Sequence, residues 1–153
     1  MFLLGFVFLL KNKEGKILKT RYIEKKLEPE SGMVDITPDL EKIVEEESLR
    51  DALLFLSSIG STAAITTAEF ESGLIKDLKD TFAKLFPFKK DYSHNATWAD
   101  DNAHSHLRSS FLKTIFFVSL TGGKFDLGTW QQVILVNFDT KTRNRKIAVK
   151  ILS

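Results

Sequence analysis

Five short apolar runs, each bounded by turn-forming residues, constrain the fold of this chain more than any other feature. They cover residues 52–59, 63–68, 114–120, 130–138 and 145–152. Runs of this length are typical of strands. The 52–59 run is continuously apolar, which predicts a strand covered on both faces. Thirteen phenylalanines also favour strands over an Ala/Leu-rich helical bundle.

Helix signals separate these runs. Thr37-Pro38-Asp39 predicts a helix start, with Thr37 as N-cap and proline at the first position. Apolar residues recur every three or four positions over residues 69–85, and Pro87 ends that helix. Residues 105–113 predict a third, short helix, and residues 33–36 a short strand. The pattern therefore indicates an α+β protein with two to three helices and a largely antiparallel or mixed sheet.

The apolar segment at residues 1–10 is the only candidate for a membrane or targeting segment. It has about half the length needed to span a bilayer and lacks a basic start. We interpret it as a buried strand that turns at Gly15 into a second strand over residues 16–27, although the pattern leaves a membrane role open.

The composition excludes several classes of partner and of chemistry. The 153 residues suit one domain, 1–153, and the 22 basic and 20 acidic residues nearly cancel, so no nucleic-acid partner is expected. Cysteine is absent, which excludes disulfides, thiolate metal sites and thiol nucleophiles. The composition suits a cytoplasmic protein. No glycine-rich nucleotide-binding loop and no hydrolase serine elbow occurs.

The richest stretch in titratable side chains is residues 92–108. It contains all three histidines, His94, His104 and His106, together with the acidic pair Asp100 and Asp101. In an extended chain His104 and His106 share one side, whereas in a helix they point roughly 200 degrees apart. Imidazoles with carboxylate partners predict a metal site, and a polar loop that caps a helix is the alternative.

The start of the helix after this stretch also has two interpretations. Asp100, Asp101 and Asn102 are typical N-cap residues. The same helix start, with Arg108 one or two turns further on, could also bind a phosphate or carboxylate.

Two further stretches are candidate pocket linings. Gly128-Thr129-Trp130-Gln131 combines a glycine, which allows close backbone approach, with a tryptophan between polar residues. Trp130 is interpreted as core or interface packing, with a stacking platform as the alternative. The Ser/Thr cluster around Ser61 and Thr62 could line a polar pocket.

Four motifs in order resemble the YjbQ family, also described as secondary thiamine-phosphate synthases. The motifs are Tyr92-Ser93-His94, Asp100-Asp101-Asn102, Ser105-His106-Leu107-Arg108-Ser109-Ser110 and Leu127-Gly128-Thr129-Trp130-Gln131. Residues 32–37 and 61–69 extend the similarity, and residues 1–16 lie outside it. The resemblance implies a β-sandwich-like α+β fold, a homotrimer, a polar pocket near the subunit boundaries and a histidine-centred site able to hold a divalent metal, zinc or magnesium.

The resemblance also implies roles for individual residues. His94 and His106 correspond to two histidines of the family's site, and Glu69 to its acidic position. Many members read His-Thr-Ser-Ala where this chain reads Gly60-Ser61-Thr62-Ala63, so three alternatives are open: His104 replaces the third histidine, the metal site is weaker, or the ligand is only an anion.

The functional hypothesis is an enzyme acting on a phosphorylated small molecule, similar to thiamine-phosphate synthases. The alternatives are a non-catalytic trimer that binds a metal or anion and a purely structural protein. Expected catalytic residues are His94, Asp100, Asp101 and His106. Expected substrate or anion contacts are Ser61, Thr62, Glu69, Asn102, Arg108, Thr129 and Gln131.

Overall fold

A computed structural model describes residues 19–88 and 90–153. Its strands are β1 (Lys19–Leu27), β2 (Gly32–Asp35), β3 (Ala52–Ile59), β4 (Ala63–Ala68), β5 (Ile115–Thr121), β6 (Lys124–Phe125), β7 (Gln132–Asn137) and β8 (Arg143–Leu152). Its helices are α1 (Thr37–Glu46), α2 (Ser72–Leu85), α3 (Ser93–Trp98) and α4 (Ala103–Leu112). The predicted strand over residues 1–10 and its turn lie outside the described residues. Within those residues, no helix is both long and apolar enough to cross a bilayer.

The strands form two antiparallel sheets. The outer sheet has the order β1-β8-β3-β5-β6, and the inner sheet the order β2-β7-β4. Alternate residues of the two sheets pack between them, including the fully buried Leu54, Leu135 and Ile147. On its other face the inner sheet packs against α2, where Phe82 and Phe138 stack edge to face at 5.0 Å. The predicted α+β, sandwich-like antiparallel core is confirmed.

The helix count differs from the sequence prediction, because the described residues contain four helices and not two or three. The additional helix is α3, which has only six residues and no buried side chain. A helix this short shows no apolar period in the sequence.

The outer face of the outer sheet is rich in exposed apolar side chains. Ile59, Ile115 and Phe117 are each about half exposed, and Phe55 packs on Phe117 at 4.9 Å between ring centroids. The prediction that the 52–59 strand is covered on both faces is therefore wrong for the single chain. Only alternate residues such as Leu54 and Leu56 face the core, because β3 belongs to the outermost layer.

The starts of α1 and α4 also differ from the predicted caps. Ile36 is the N-cap of α1, and Thr37 instead accepts a hydrogen bond from the backbone N–H of Val133. Asn102 is the N-cap of α4 but its side chain makes no capping bond. The Ala103 N–H donates to Asn95 Oδ1, so a residue of α3 satisfies this helix start.

Candidate functional site

Helices α3 and α4 bring two of the three histidines together. His94 in α3 and His106 in α4 have ring centroids 4.8 Å apart. Asp100 lies in the connection between the helices, with Oδ1 3.7 Å from His94 Nε2. Left-handed residues Ala99 and Asp101 reverse the chain there, which allows the two short helices to pack together. Both residues of the histidine pair (His94 and His106) are partly exposed.

Polar atoms without partners lie in the same segment as the histidine pair. Tyr92 OH, His94 Nε2 and Asn102 Oδ1 are buried and have no hydrogen-bond partner among the described residues. An unsatisfied buried polar atom costs about 1–3 kcal/mol, so proteins rarely retain several in one segment without a ligand, water or ion. The cluster is therefore the best candidate site on this chain.

His104 does not join the pair. It is fully buried on the opposite side of α4, with Nε2 3.3 Å from Glu30 Oε1 and its ring 5.0 Å from that of Phe88. The chain is already helical at residue 103, which separates the directions of His104 and His106. Burial lowers the pKa of His104, against the opposing effect of the Glu30 carboxylate, and favours the neutral imidazole. His104 is thus not positioned as a third ligand beside the pair.

Arg108 is also buried, and its guanidinium is hydrogen-bonded within the fold. Its guanidinium donates to Glu30 Oε2 at 3.3 Å and to the Phe86 carbonyl at 2.8 Å, and only 4% of its side chain is exposed. In this single chain Arg108 therefore holds the start of the inner sheet to α4 and does not face the histidine pair.

Ser105, His104 and Glu30 do not form a catalytic triad. Ser105 Oγ and Glu30 Oε1 both approach the same nitrogen of His104, Nε2, at 3.3 Å. A triad needs the carboxylate on one ring nitrogen and the nucleophile on the other. Ser105 is also fully buried.

A buried polar network lies at the same end of the inner sheet. Thr62 donates to Asp139 Oδ2 at 3.0 Å and accepts from Arg145 at 2.8 Å. Arg145 also donates to Asn137 Oδ1, and Arg143 Nε donates to Asp139. The predicted contact Thr62 is therefore structural in this chain, whereas Ser61 is exposed and its side chain bonds to no described residue.

Sequence reasoning missed Glu30, Asp139 and Arg145. Glu30 occupies a surface-like Pro-Glu-Ser-Gly turn, and nothing local distinguishes it. Asp139 and Arg145 carried a usable signal, because two arginines at alternate positions follow an acid that ends an apolar strand. Charges on the buried side of a strand require partners.

Gly60 lies at the position for which the family resemblance implies a histidine. Its φ is +148°, and a Cβ atom there would lie 3.0 Å from Arg145 Nη1. The space that a larger side chain would need is occupied by the buried guanidinium.

Glu69, Thr129 and Gln131 lie at the other end of the inner sheet. Ala63 of β4 pairs with Asn137 near the histidines, whereas Ala68 pairs with Gln132. At about 3.3 Å per residue, the two ends of β4 are roughly 17 Å apart. Gln131 hydrogen-bonds Thr67 and the Gly128 N–H, and Trp130 is 71% exposed in a loop rather than in the predicted strand or core.

The described part of the chain contains no group of three or more histidine, aspartate or glutamate side chains placed to hold one metal ion. The histidine pair offers two imidazoles, and His94 Nε2, which is buried and 3.7 Å from Asp100 Oδ1, forms no hydrogen bond with a described residue. Two imidazoles fit a site for a metal that favours nitrogen ligands, and do not fit a closed three-histidine centre.

Comparisons with known proteins agree with one another. A family model described as UPF0047 protein YjbQ-like matches residues 21–153. A UPF0047 protein of Archaeoglobus fulgidus is 36% identical over 120 residues, which are 78% of this chain and 90% of that protein. A UPF0047 protein of Methanothermobacter thermautotrophicus is 36% identical over 119 residues, covering 78% and 81% of the two chains.

Solved structures show the same similarity. A YbjQ-like protein of unknown function from Sulfolobus solfataricus superposes with a TM-score of 0.79 at 32% identity, covering 89% of this chain and 99% of the other. A hypothetical protein from Aeropyrum pernix gives a TM-score of 0.82 at 27% identity, covering 88% and 98%.

Proposed function

Because this chain belongs to the YjbQ-like UPF0047 family, we propose that it is an enzyme acting on a phosphorylated small molecule. The observation that carries the proposal is the histidine pair beside unsatisfied buried polar atoms. The family resemblance suggests the reaction: a thiamine-phosphate synthase-like transfer that joins a pyrimidine methyl diphosphate to a thiazole phosphate.

The histidine pair would act on the leaving diphosphate, as ligands of a metal ion that offsets its developing charge. Asp100, whose Oδ1 lies 3.7 Å from His94 Nε2, would act beside the histidine pair as the acid or base, and Asp101 is the alternative for that role. Tyr92 OH and Asn102 Oδ1 lack partners among the described residues; the hydroxyl would donate a hydrogen bond to the substrate or accept one, and the amide oxygen would accept one.

The charge at the start of α4 supports a cation as part of the site. A helix N-terminus favours a phosphate, but Asp100 and Asp101 add negative charge close by. A divalent metal held by His94 and His106 would reduce the repulsion between these carboxylates and a phosphate. Imidazole ligands favour zinc over magnesium, and such an ion supplies Lewis-acid stabilisation of a leaving diphosphate.

We also propose that the protein acts as a homotrimer with its site near a subunit boundary. The four motifs of the family lie at two ends of β4 that are roughly 17 Å apart within one chain. A second copy could bring the Glu69 and Gln131 end of one subunit to the histidine pair of the next. The exposed apolar face of the outer sheet supplies a surface for that contact.

A coupled assay tests the enzymatic proposal. Pyrimidine methyl diphosphate and thiazole phosphate are supplied with magnesium or zinc, and product is followed for wild type, His106→Ala and Ser110→Ala. Ser110 is an exposed residue of α4 and is the matched control. We expect His106→Ala to lose about 100-fold or more in turnover with unchanged mass and melting temperature. Wild-type protein without turnover, or an active His106→Ala, would contradict the proposed reaction.

Elemental analysis tests the metal separately. We expect zinc to bind wild type and to be lost in the His94→Ala, His106→Ala double variant. Zinc that is retained by the double variant, or that is absent from wild type after zinc addition, would remove the metal from the proposal. A protein that binds zinc but has no turnover would favour the non-catalytic alternative.

A further inference from the structure

A large cleft lies at the end of the molecule away from the histidine pair. It has a volume of about 860 Å³ and is bounded by α1, the β5–β6 hairpin and the segment before β7. Its lining includes Thr129 and Gln131, which the sequence analysis predicts to contact a substrate or an anion. The volume lies within the range of roughly 300–1,000 Å³ that is typical of small-molecule sites.

One wall of the cleft is acidic. Glu41 and Glu45 lie one turn apart on α1 and both line the cavity. Both are exposed, and neither forms an ion pair with another described residue. Like charges at this spacing destabilise an isolated helix, whereas the neighbouring Lys42 and Glu46 form a favourable pair. The acidic wall therefore creates a negative potential that a cationic group would neutralise.

A second part of the lining is basic. Lys124 of the hairpin and Arg50, which follows α1, line the cleft and form no ion pair with other described residues. These cations are separate in the chain from Glu41 and Glu45, and none of the four charges is neutralised by another. The cleft thus offers charge of both signs to a ligand.

Apolar side chains lie between these charged groups. Val44, Leu49, Phe125 and Leu127 line the cleft, and Leu49, Phe125 and Leu127 also pack on the main core. A flat apolar body would displace water from this surface, and the charges around it would fix its orientation.

We propose that this cleft binds a small zwitterion with a flat apolar body, a cationic end and an anionic end. The cationic end lies against Glu41 and Glu45, and the anionic end lies against Arg50 and Lys124. Within one chain the cleft and the histidine pair lie at opposite ends of β4, and the charged groups that carry this inference do not include the histidines, so it does not depend on the proposed reaction.

The test compares three probes of one ring size by NMR titration of ¹⁵N-labelled full-length protein. N-methylpyridinium-3-carboxylate carries both charges, N-methylpyridinium only the cation, and benzoate only the anion. We expect the zwitterion to bind most tightly and to shift the backbone amides of Gly123 and Gly128, which line the cleft. Equal binding of the three probes, no saturable binding, or shifts confined to other regions would overturn the proposal.

Charge variants assign the two ends of the ligand. The Glu41→Gln, Glu45→Gln double variant should weaken the zwitterion and the cation about two- to fivefold and leave benzoate unchanged, because exposed ion pairs are weak. Lys124→Gln should weaken the zwitterion and benzoate and leave the cation unchanged.

Controls separate this site from the proposed reaction. Asp77→Asn, an exposed carboxylate on α2 outside the cleft, should have no effect. His94→Ala with His106→Ala should leave zwitterion binding unchanged even if it abolishes turnover. If Asp77→Asn weakens the zwitterion as much as the double variant does, binding reflects net charge and the cleft assignment is wrong.

Discussion

Asp139 couples the stability of the fold to pH at the scale of a single residue. Burial alone would raise its pKa, but hydrogen bonds from Arg143, Thr62 and the Lys141 N–H outweigh burial and hold the pKa of Asp139 below its ordinary value. The folded state therefore binds this proton more weakly than the unfolded state. The resulting stabilisation is complete above the ordinary value of 3.8 and is lost as the pH falls through it toward the folded value.

We expect Asp139→Asn to lower stability near pH 7 by about 1–3 kcal/mol, because a buried charged hydrogen-bond acceptor is lost. Between pH 5 and pH 3 the melting temperature of the variant should fall less steeply than that of wild type. His104, whose pKa is lowered by burial and partly raised again by Glu30 and Asp139, adds acid sensitivity below its ordinary value of 6.5, and this contribution is slightly larger in Asp139→Asn because the Asp139 charge is lost. Parallel melting curves for wild type and Asp139→Asn across this range would contradict the linkage.

Single residues also mark the limit of sequence reasoning about the site. The histidines could be selected from residues 92–108, because three of them occur together. The carboxylate near His94 is Asp100 of the same stretch, as predicted, whereas the partner of His104 could not be predicted, since Glu30 lies 74 positions away. The choice between a shared side and opposite sides for His104 and His106 depended on where α4 begins, and a cap supplied by Asn95 begins it at Ala103. Local cap chemistry identified Asn102 at the N-cap position, but not that the side chain of Asn95 makes the capping bond.

The turn between β1 and β2 is the element that holds the polar end of the molecule together. Glu30 and Ser31 both have positive φ, at 52° and 71°, which is uncommon for residues other than glycine and costs about 1–2 kcal/mol each. Backbone bonds to Asp139 and Asn137 and the Glu30 contacts with α4 maintain the turn. This turn conformation places the Glu30 carboxylate against His104 and Arg108.

We expect two substitutions in this turn to act in opposite directions. Ser31→Gly removes one strained residue and should raise the free energy of unfolding by about 0.5–1 kcal/mol. Glu30→Asn keeps a residue that tolerates positive φ but is too short to reach the helix, so it should lower stability by about 1–2 kcal/mol. Urea unfolding measures both. A destabilised Ser31→Gly, or a neutral Glu30→Asn, would show that this account of the turn is wrong.

Elements with a clear apolar pattern were predictable, including the short strands bounded by turn residues. Helix α2 carries that period over fourteen residues and was recognised, with its start three residues later than expected. Helix α3 is too short to show one. The strand at 52–59 was recognised as a strand, but its two faces have different environments, and composition does not distinguish a face covered by the same chain from one left open.

At the scale of the whole molecule, the outer face of the outer sheet exposes more apolar side chains than the fold of a single chain accounts for. Leu53, Ile59, Ile115, Phe117 and Leu152 are exposed there on neighbouring strands. Contiguous apolar patches on this scale mark interaction surfaces. The apolar composition of β3 suits burial on both faces, and a second copy of the chain that packs on the outer face would bury the second one.

The mass of the protein in solution tests this interpretation directly. Light scattering coupled to size exclusion should give three times the chain mass of 17.4 kDa for wild type. Phe117→Lys places a charge in the centre of the patch, where burial would leave it unpaired, and should shift the mass toward one chain. Lys26→Glu, an exposed change on the edge strand β1, is the control and should keep the wild-type mass. A trimeric Phe117→Lys would place the subunit contact on another surface. A monomeric wild type would contradict the homotrimer, and the histidine pair and the Gln131 end would then stay apart in the functional protein.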